Sequence, residues 1–419
     1  MDRLAEALHR RLPATRHRDF LALWGGSACS GISLWTLLLG NAWIVYRLTG
    51  SSLWVGVSTF ASMSPYFLAP FGGTVADRVE RRLLVRATRL AALAIAIVLL
   101  LLAATGVIAV WMVVGLALLQ GVVRAIEIPA DNALLANVVP PSDLGNAVSL
   151  STTAQLGSRA VGPVLAGPLL ATVGVAGAYG IAVLFTLLSF TSVRRVQTSS
   201  RGGVASLRSV IANLRSGVRY LSSTGPVRAL FLLVVAHCSL TMSFDAMLPG
   251  FADRELHAAS SGFTLMMFGI GAGAFVATAV LAVTIGRRRG RVLLITGVLS
   301  GLSPALLAFS PGLGAAVVSA TIMGSSQAVF MALSAVFLQE VVPDAIRGRV
   351  MSFYLMSAGG VMAVANLAFG SLADVLGVPP LLLVPGALFV AVLAISRLAA
   401  PNLWAVFRAG IVPATASGR

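Results

Sequence analysis

About a dozen continuous apolar runs, each near 20 residues, follow one another through this 419-residue chain. A run of that length crosses the hydrocarbon core of a bilayer as a helix, the one single-segment structure that satisfies its own backbone polar groups in lipid. The runs are unbroken rather than alternating, which excludes a membrane β-barrel. The expected spans are 20–46, 52–76, 88–110, 112–136, 147–171 and 174–193, then 226–250, 262–285, 291–309, 313–338, 350–375 and 378–398. Charged residues are only 11% of the sequence, too few to clothe a soluble fold of this size.

The fold class expected is an all-α membrane protein with 12 transmembrane helices arranged as two pseudo-symmetric six-helix bundles. Three segments follow: an N-terminal bundle with its tail (1–193), a hydrophilic linker (194–225) and a C-terminal bundle with its tail (226–419). The chain also repeats itself. At a shift of 203 residues, Val138, Val139, Pro140, Gly145 and Ser149 fall on Val341, Val342, Pro343, Gly348 and Ser352, and Gly167 and Gly174 on Gly370 and Gly377. Such parallel repeats place a binding site between two halves related about the membrane normal. In the linker, Leu207, Val210, Ile211, Leu214, Val218 and Leu221 keep helical spacing, an amphipathic helix lying at the membrane surface. Leu4, Leu8 and Leu12 suggest a shorter one in the N-terminal tail.

Every one of the 30 basic residues is arginine, and the formal net charge is +16. Their placement reads as membrane topology rather than as nucleic-acid binding. Arg3, Arg10, Arg11, Arg16 and Arg18, then Arg78, Arg81, Arg82, Arg86 and Arg89, then Arg194 to Arg219, Arg287 to Arg291, and Arg347 and Arg349 all fall on one side of the expected spans. Basic residues mark the cytoplasmic side, so both termini are expected inside, in a bacterial inner membrane. With no lysine the chain has no Walker A phosphate loop. Transport would draw on a gradient or a separate energising partner. Cys29 and Cys238 lie in apolar runs and make no disulfide framework or metal motif, and neither a metal nor a cofactor is expected. The first 20 residues lack the apolar core of a signal peptide.

Within the expected spans, ionisable groups mark candidate pathways, because lipid excludes them. Arg124 and Glu127, three residues apart, share a helix face, with Asp131 one turn on. Glu127 is a candidate proton carrier reset by Arg124, or half of a static ion pair; Asp131 is placed near the cytoplasmic surface. Asp245, toward the outer end of the seventh span, is a candidate for protons or a cationic solute. Arg159 is expected near the cytoplasmic end of its helix, snorkelling to the interface. Trp35, Asn41, Gln120, Gln155 and Gln327 are candidate cavity residues. His237 reads as a packed, hydrogen-bonded core residue.

The loop Gly73-Thr-Val-Ala-Asp77-Arg78-Val-Glu80-Arg81-Arg82 resembles the Gly-x-x-x-Asp-Arg-x-Gly-Arg-Lys/Arg signature of the major facilitator superfamily, with Glu80 in place of the second glycine. YRLTGS (46–51), IPADNALLANVVP (128–140), SRAVGPVLAG (158–167), LPGFADREL (248–256) and RGRVMSF (347–353) are similar to the bacterial exporter branch that includes enterobactin and macrolide efflux proteins. The resemblance implies gating by Gly73, Asp77, Arg78, Arg81 and Arg82, with Asp77 facing the start of the eleventh helix, and a matching gate from Glu340, Asp344, Arg347 and Arg349. It implies an exporter-like packing motif in Gly157, Gly162, Pro163 and Gly167. Leu34 stands where this branch often carries an acid in the first span, and Asp131 where an arginine is common. The implied function is secondary active export of an amphipathic small molecule, drug or siderophore-like, coupled to protons. An uptake permease and a non-transporting receptor or scaffold are the alternatives. No nucleophile–base pair suggests an enzyme. Substrate identity and oligomeric state are not encoded in any motif.

Overall fold

The computed structural model describes residues 12–68, 79–199, 207–284 and 289–409. The expected N-terminal surface helix and the gating positions Gly73, Asp77 and Arg78 lie outside the described residues. Those described form helices and no strand. Before the linker come α1 (Arg18–Thr49), α2 (Ser52–Met63, continued by a 3-10 turn at Ser64–Leu68), α3 (Arg81–Ala104), α4 (Val110–Val138), α5 (Leu144–Thr172) and α6 (Val175–Arg194). The linker holds α7 (Leu207–Ser223). After it come α8 (Gly225–Leu240), α9 (Ala259–Thr284), α10 (Arg289–Ala308), α11 (Leu313–Val341), α12 (Asp344–Met356), α13 (Met362–Leu376), α14 (Val378–Ala399) and α15 (Pro401–Ala409).

Nine membrane-spanning candidates among the described residues are long and apolar enough to cross a bilayer, ten if the bent α7–α8 pair is one span. One of the nine joins α12 and α13, linked by a π-turn at Ser357–Val361. The expected twelve are not all present in that form, for local reasons. The described part of α2 stops short at residue 68. α5 is 29 residues long but is diluted by Asn146, Gln155, Arg159 and several hydroxyl residues. The seventh expected span is broken: α8 ends at Leu240, and the chain turns before resuming as Leu248–Gly250 and a π-turn, Phe251–Glu255. Side chains from other helices satisfy the backbone groups freed by this break, as a bilayer interior demands. Gln327 Nε2 donates to the Thr241 carbonyl at 2.7 Å, and the Ala246 amide donates to Asn366 Oδ1 at 3.1 Å.

The sequence repeat is visible in the backbone. α4 and α11 are both 29 residues long, and they begin and end 203 residues apart. Gly174 and Gly377, another repeat pair, open α6 and α14 with φ of +83° and +79°, where a side chain would be strained. α7 meets α8 at 106°, so the linker helix turns away from the span that follows it. Gly217 packs against the Phe353 ring, and Arg349 Nη1 donates to Ser216 Oγ at 2.8 Å.

Helices on either side of the linker meet along two seams, α2 against α13 and α5 against α9. Both are built where glycine lets backbones approach. A Cβ on Gly56 would stand 2.9 Å from the Asn366 carbonyl oxygen, and one on Gly271 2.5 Å from that of Arg159. At the end far from the linker, Asp374 in the last turn of α13 closes the first seam. Its carboxylate accepts from Ser51 Oγ at 2.5 Å, the Ser52 amide at 2.7 Å and the Leu53 amide at 3.0 Å. A carboxylate opposes the dipole of its own helix C-terminus, but here it caps the unpaired amides opening α2. Nearby, Arg254 Nη2 donates to the Gly50 carbonyl at 2.5 Å and the Tyr46 hydroxyl to Asp253 at 3.4 Å.

Asp374→Ala removes three charge-assisted acceptor contacts and is expected to cost about 1–3 kcal/mol, seen as a lower thermal unfolding midpoint of the purified protein. Asp374→Asn, which keeps one acceptor oxygen, is expected to lose less. Equal loss in the two would contradict the capping account.

Candidate functional site

Four ionised side chains meet inside the helices that precede the linker. Arg89, the ninth residue of α3, is fully buried and reaches both carboxylates of α4. Its Nη1 contacts Glu127 Oε1, and its Nη2 lies 2.5 Å from Asp131 Oδ2. Arg124 Nη1 lies 3.0 Å from Glu127 Oε1. Helical spacing puts Arg124, Glu127 and Asp131 on one face of α4. α1 contributes hydroxyls: Ser30 Oγ donates to Glu127 at 3.1 Å and Ser27 Oγ to Asp131 at 3.1 Å. Two positive and two negative groups balance, so their burial leaves no net charge.

One expectation changes here. Arg89 was expected in the connection after the second span, but α3 begins at Arg81 and carries it more than two turns inward. Asp131, expected near the cytoplasmic surface, is held in the network by Arg89 and borders the linker-end cavity. The misplacement of Arg89 comes from reading charge as surface, when opposite charges on neighbouring helices can be buried together.

A cavity of about 440 Å³ opens beside this network, between the linker-end halves of α1, α4 and α5. Trp24, Ser27, Arg124, Asp131 and Gln155 are in its wall. Among the described residues, Asp131 Oδ1 and Glu127 Oε2 are buried atoms without a hydrogen-bond partner; the Asp131 side chain is part of that wall and Glu127 is off it. A second, smaller cavity of about 100 Å³ lies deeper, lined by Trp35, Asn41, Tyr66, Gln120 and Arg124. Arg124 borders both. Asn41 accepts from the buried Tyr179 hydroxyl at 2.7 Å, while Gln120 Oε1 has no partner.

The remaining candidates separate. Gln327 lies on neither of these cavities and braces the break after α8. Gly162 and Gly167 are contact points: a Cβ on Gly162 would stand 2.9 Å from Trp35 Cβ, and one on Gly167 would strike Thr264 of α9. Gly157 has more room, with Phe275 at 3.4 Å, and Pro163 is buried inside α5. Arg159 sits midway along α5, not at its end, with its guanidinium 4.8 Å from the centre of the Trp35 ring. Asp245 lies in the break after α8. His237 is packed as expected, its Nε2 2.8 Å from Ser300 Oγ and its ring stacked on Phe330.

At the linker end, Arg82 Nη2 pairs with Glu80 at 2.9 Å while its Nη1 donates to the Gln197 carbonyl at 2.9 Å. Arg86 donates to the Arg194 and Val196 carbonyls, both at 2.8 Å. These arginines tie the start of α3 to the chain leaving α6. The Gln197 and Thr198 amides in turn donate to Asp19. Arg81 opens α3 beside them. In the matching region after the linker, Arg289 pairs with Glu340 at 2.6 Å. Outside the spans, His17 Nε2 lies 2.9 Å from Asp143 Oδ2, and this hydrogen bond holds the Asp143 carboxyl below the usual carboxylate range.

Sequence reasoning found Arg124 and Glu127 but missed Arg89 as their partner and missed Asp374 altogether. A helical register anchored at Arg81 would have turned Arg89 inward. An acid in the last turn of an apolar helix, against its own dipole, was the available signal for Asp374.

Glu127→Gln leaves two buried arginines sharing one carboxylate and is expected to cost about 3–5 kcal/mol, read as a fall in the thermal unfolding midpoint. Arg89→Met combined with Glu127→Met removes one charge of each sign and is expected to be less damaging than the two single changes added together. Additive effects would contradict a shared network.

The family model described as Transmembrane secretion effector matches residues 11–406. The chain is 25% identical over 384 residues to macrolide efflux protein A of Streptococcus pyogenes, covering 89% of this chain and 94% of that one. It is 24% identical over 362 residues to the staphyloferrin A transporter of Staphylococcus aureus (82% and 87% covered). It is 28% identical over 348 residues to an enterobactin exporter of Shigella boydii, covering 80% of each. A solved POT family transporter in complex with 5-aminolevulinic acid superposes with a TM-score of 0.74 over 92% of this chain and 97% of that one; at 12% identity this speaks to fold alone. With helices of this kind and a match along nearly its whole length, the chain belongs to the transmembrane secretion effector family of major facilitator superfamily transporters.

Proposed function

We propose that this chain is a secondary active exporter that moves amphipathic small molecules out across the bacterial inner membrane by alternating access, driven by protons. The cavity of about 440 Å³ beside Arg124 and Asp131 carries the reading. It is large enough for part of a drug-sized solute, and the Asp131 side chain is part of its wall. The proposed architecture is twelve spans in two bundles with the linker end and both termini cytoplasmic, supported by the arginine distribution and by the 203-residue repeat. In this conformation the closed seam at Asp374 then lies on the outer side and the cavity on the inner side. Relatives named as a macrolide efflux protein and an enterobactin exporter support the direction and point to amphipathic cargo.

Protons enter through Asp131. Glu127 is enclosed and shared between two arginines, so it serves as the fixed anion of the network. Asp131 faces the cavity and is held by Arg89 through one oxygen. Its protonation releases Arg89 to Glu127 alone and loosens α4 from α3, which couples proton binding to helix packing. In the opposite conformation, on the reading that the loop motif implies, Asp77 serves at the linker end as Asp374 serves at the far end. Arg78, Arg81 and Arg82 hold that loop. A proton-coupled cycle therefore closes one end of the seam as it opens the other.

The test is accumulation of a radiolabelled macrolide and a labelled siderophore in a host lacking its own efflux pumps. Expression is expected to lower accumulation of at least one compound, a protonophore to abolish the effect, and Asp131→Asn to remove it while the protein remains in the membrane. Raised accumulation would make the chain an uptake permease. Export that survives both the protonophore and Asp131→Asn would overturn the coupling.

A further inference from the structure

The network around Glu127 leaves unexplained two further ionisable groups that are part-buried among the described residues. Arg159 is midway along α5, before the linker, and Asp245 is in the break after α8, beyond it. Among the described residues neither makes a hydrogen bond or an ion pair. Arg159 Nε and Asp245 Oδ1 are buried without partners, although each group feels the other's charge. They come from opposite sides of the linker and do not pair. Buried polar groups are ordinarily satisfied, and those that are not call for a ligand or a second conformation.

The surroundings point to a ligand. The wall of the 440 Å³ cavity ends inward at Gly31 on α1 and Gln155 on α5. One helical turn deeper on the same faces are Trp35 and Arg159, and the guanidinium there rests on the indole face at 4.8 Å. A cation stacked on an aromatic ring keeps its in-plane N–H groups free to donate. Trp35 packs against a buried apolar cluster that includes Phe244 and Met247, the residues flanking Asp245 closely in the chain. A donor fork resting on an aromatic face thus lies one helical turn beyond the cavity's inner wall, within electrostatic reach of an unpaired carboxylate.

We propose that Arg159, Asp245 and Trp35 form a recognition site for zwitterionic amphipathic solutes, with the solute's anionic group on Arg159, its ammonium on Asp245 and its apolar body along Trp35. A solute carrying only one charge would leave the opposite protein charge unpaired in the middle of the membrane, whereas a zwitterion satisfies both and brings no net charge with it. Because the two protein groups come from opposite sides of the linker, a bound zwitterion draws the two sets of helices together at that level. The inference rests on the reading of the chain as a small-molecule transporter, but it concerns binding and is independent of transport direction and of proton coupling.

Three matched fluorophores test it on the full chain in lipid nanodiscs: Nε-dansyl-lysine, its decarboxylated form dansylcadaverine, and its deaminated form 6-(dansylamino)hexanoic acid. Binding is read as energy transfer from tryptophan to dansyl. The zwitterion is expected to bind at least about tenfold more tightly than either singly charged analogue. Arg159→Gln is expected to abolish its advantage over dansylcadaverine, and Asp245→Asn its advantage over the hexanoate, with thermal midpoints near wild type as the check on folding. Saturable binding of dansylcadaverine equal to that of the zwitterion and unmoved by Arg159→Gln would overturn the proposal, as would saturable binding of none of the three. Binding with this charge preference but without export in cells would instead strike the proposed function and leave the site standing.

Discussion

Arg89 is fully buried in a chain surrounded by lipid, and much of the first set of helices is arranged around that fact. An isolated guanidinium in such a place is prohibitive, so α4 must supply carboxylates on its α3-facing side, and α1 must bring hydroxyls close enough to share them. Glu127, Asp131, Ser27 and Ser30 do so. The registers of α1, α3 and α4 are tied together by this requirement more tightly than apolar packing alone would tie them. The network gives more than stability. A balanced cluster of charges is sensitive to the loss of any one of them, so neutralising Asp131, the carboxylate beside the cavity, would change the balance felt by three helices. A purely apolar contact has no such lever.

The seams between the two sets of helices follow a different physics. There the hydrophobic effect offers little, because lipid tails are as apolar as side chains, and close backbone approach at glycine does the work. Gly56, Gly271 and Gly370 create surfaces that fit without bulky interlocking side chains. What fixes the far end is polar: a carboxylate on a helix N-terminus and an arginine on a backbone carbonyl. Contacts of this type are made or lost as units, so a conformational change can break them without dismantling a core. Between the two ends, Arg159 and Asp245 make no such contact among the described residues.

Much of the architecture was legible in the sequence because lipid imposes simple rules. Apolar run length gave the helices, and the 203-residue repeat anticipated the matched bounds of α4 and α11 and the paired positive-φ glycines at 174 and 377. The break after α8 was not legible. Its stretch is apolar enough to pass for a continuous span, and it is supported by Gln327 and Asn366, which lie about 90 and 120 residues away. Site residues were legible where partners sit on one helix, as Arg124 and Glu127 do. They were obscured where partners come from different helices: Arg89 looked like a loop arginine, Arg159 like a snorkelling one, and Asp374 like an unremarked helix end. Periodicity reports which residues share a face of one helix; it carries no information on what that face meets.

In the proposed cycle the far end and the linker end of the two sets of helices open in alternation. The direct measurement is pulsed electron spin resonance on two spin-label pairs in a background with Cys29 and Cys238 replaced by serine. One pair, at Trp54 and Val375, spans the far end; the other, at the repeat-related Ala136 and Gln339, spans the linker end. The account predicts two populations in which a short far-end distance accompanies a long linker-end distance and the reverse, their ratio moving with pH. Distances that lengthen together at both ends, or a single population at every pH with substrate present, would contradict it.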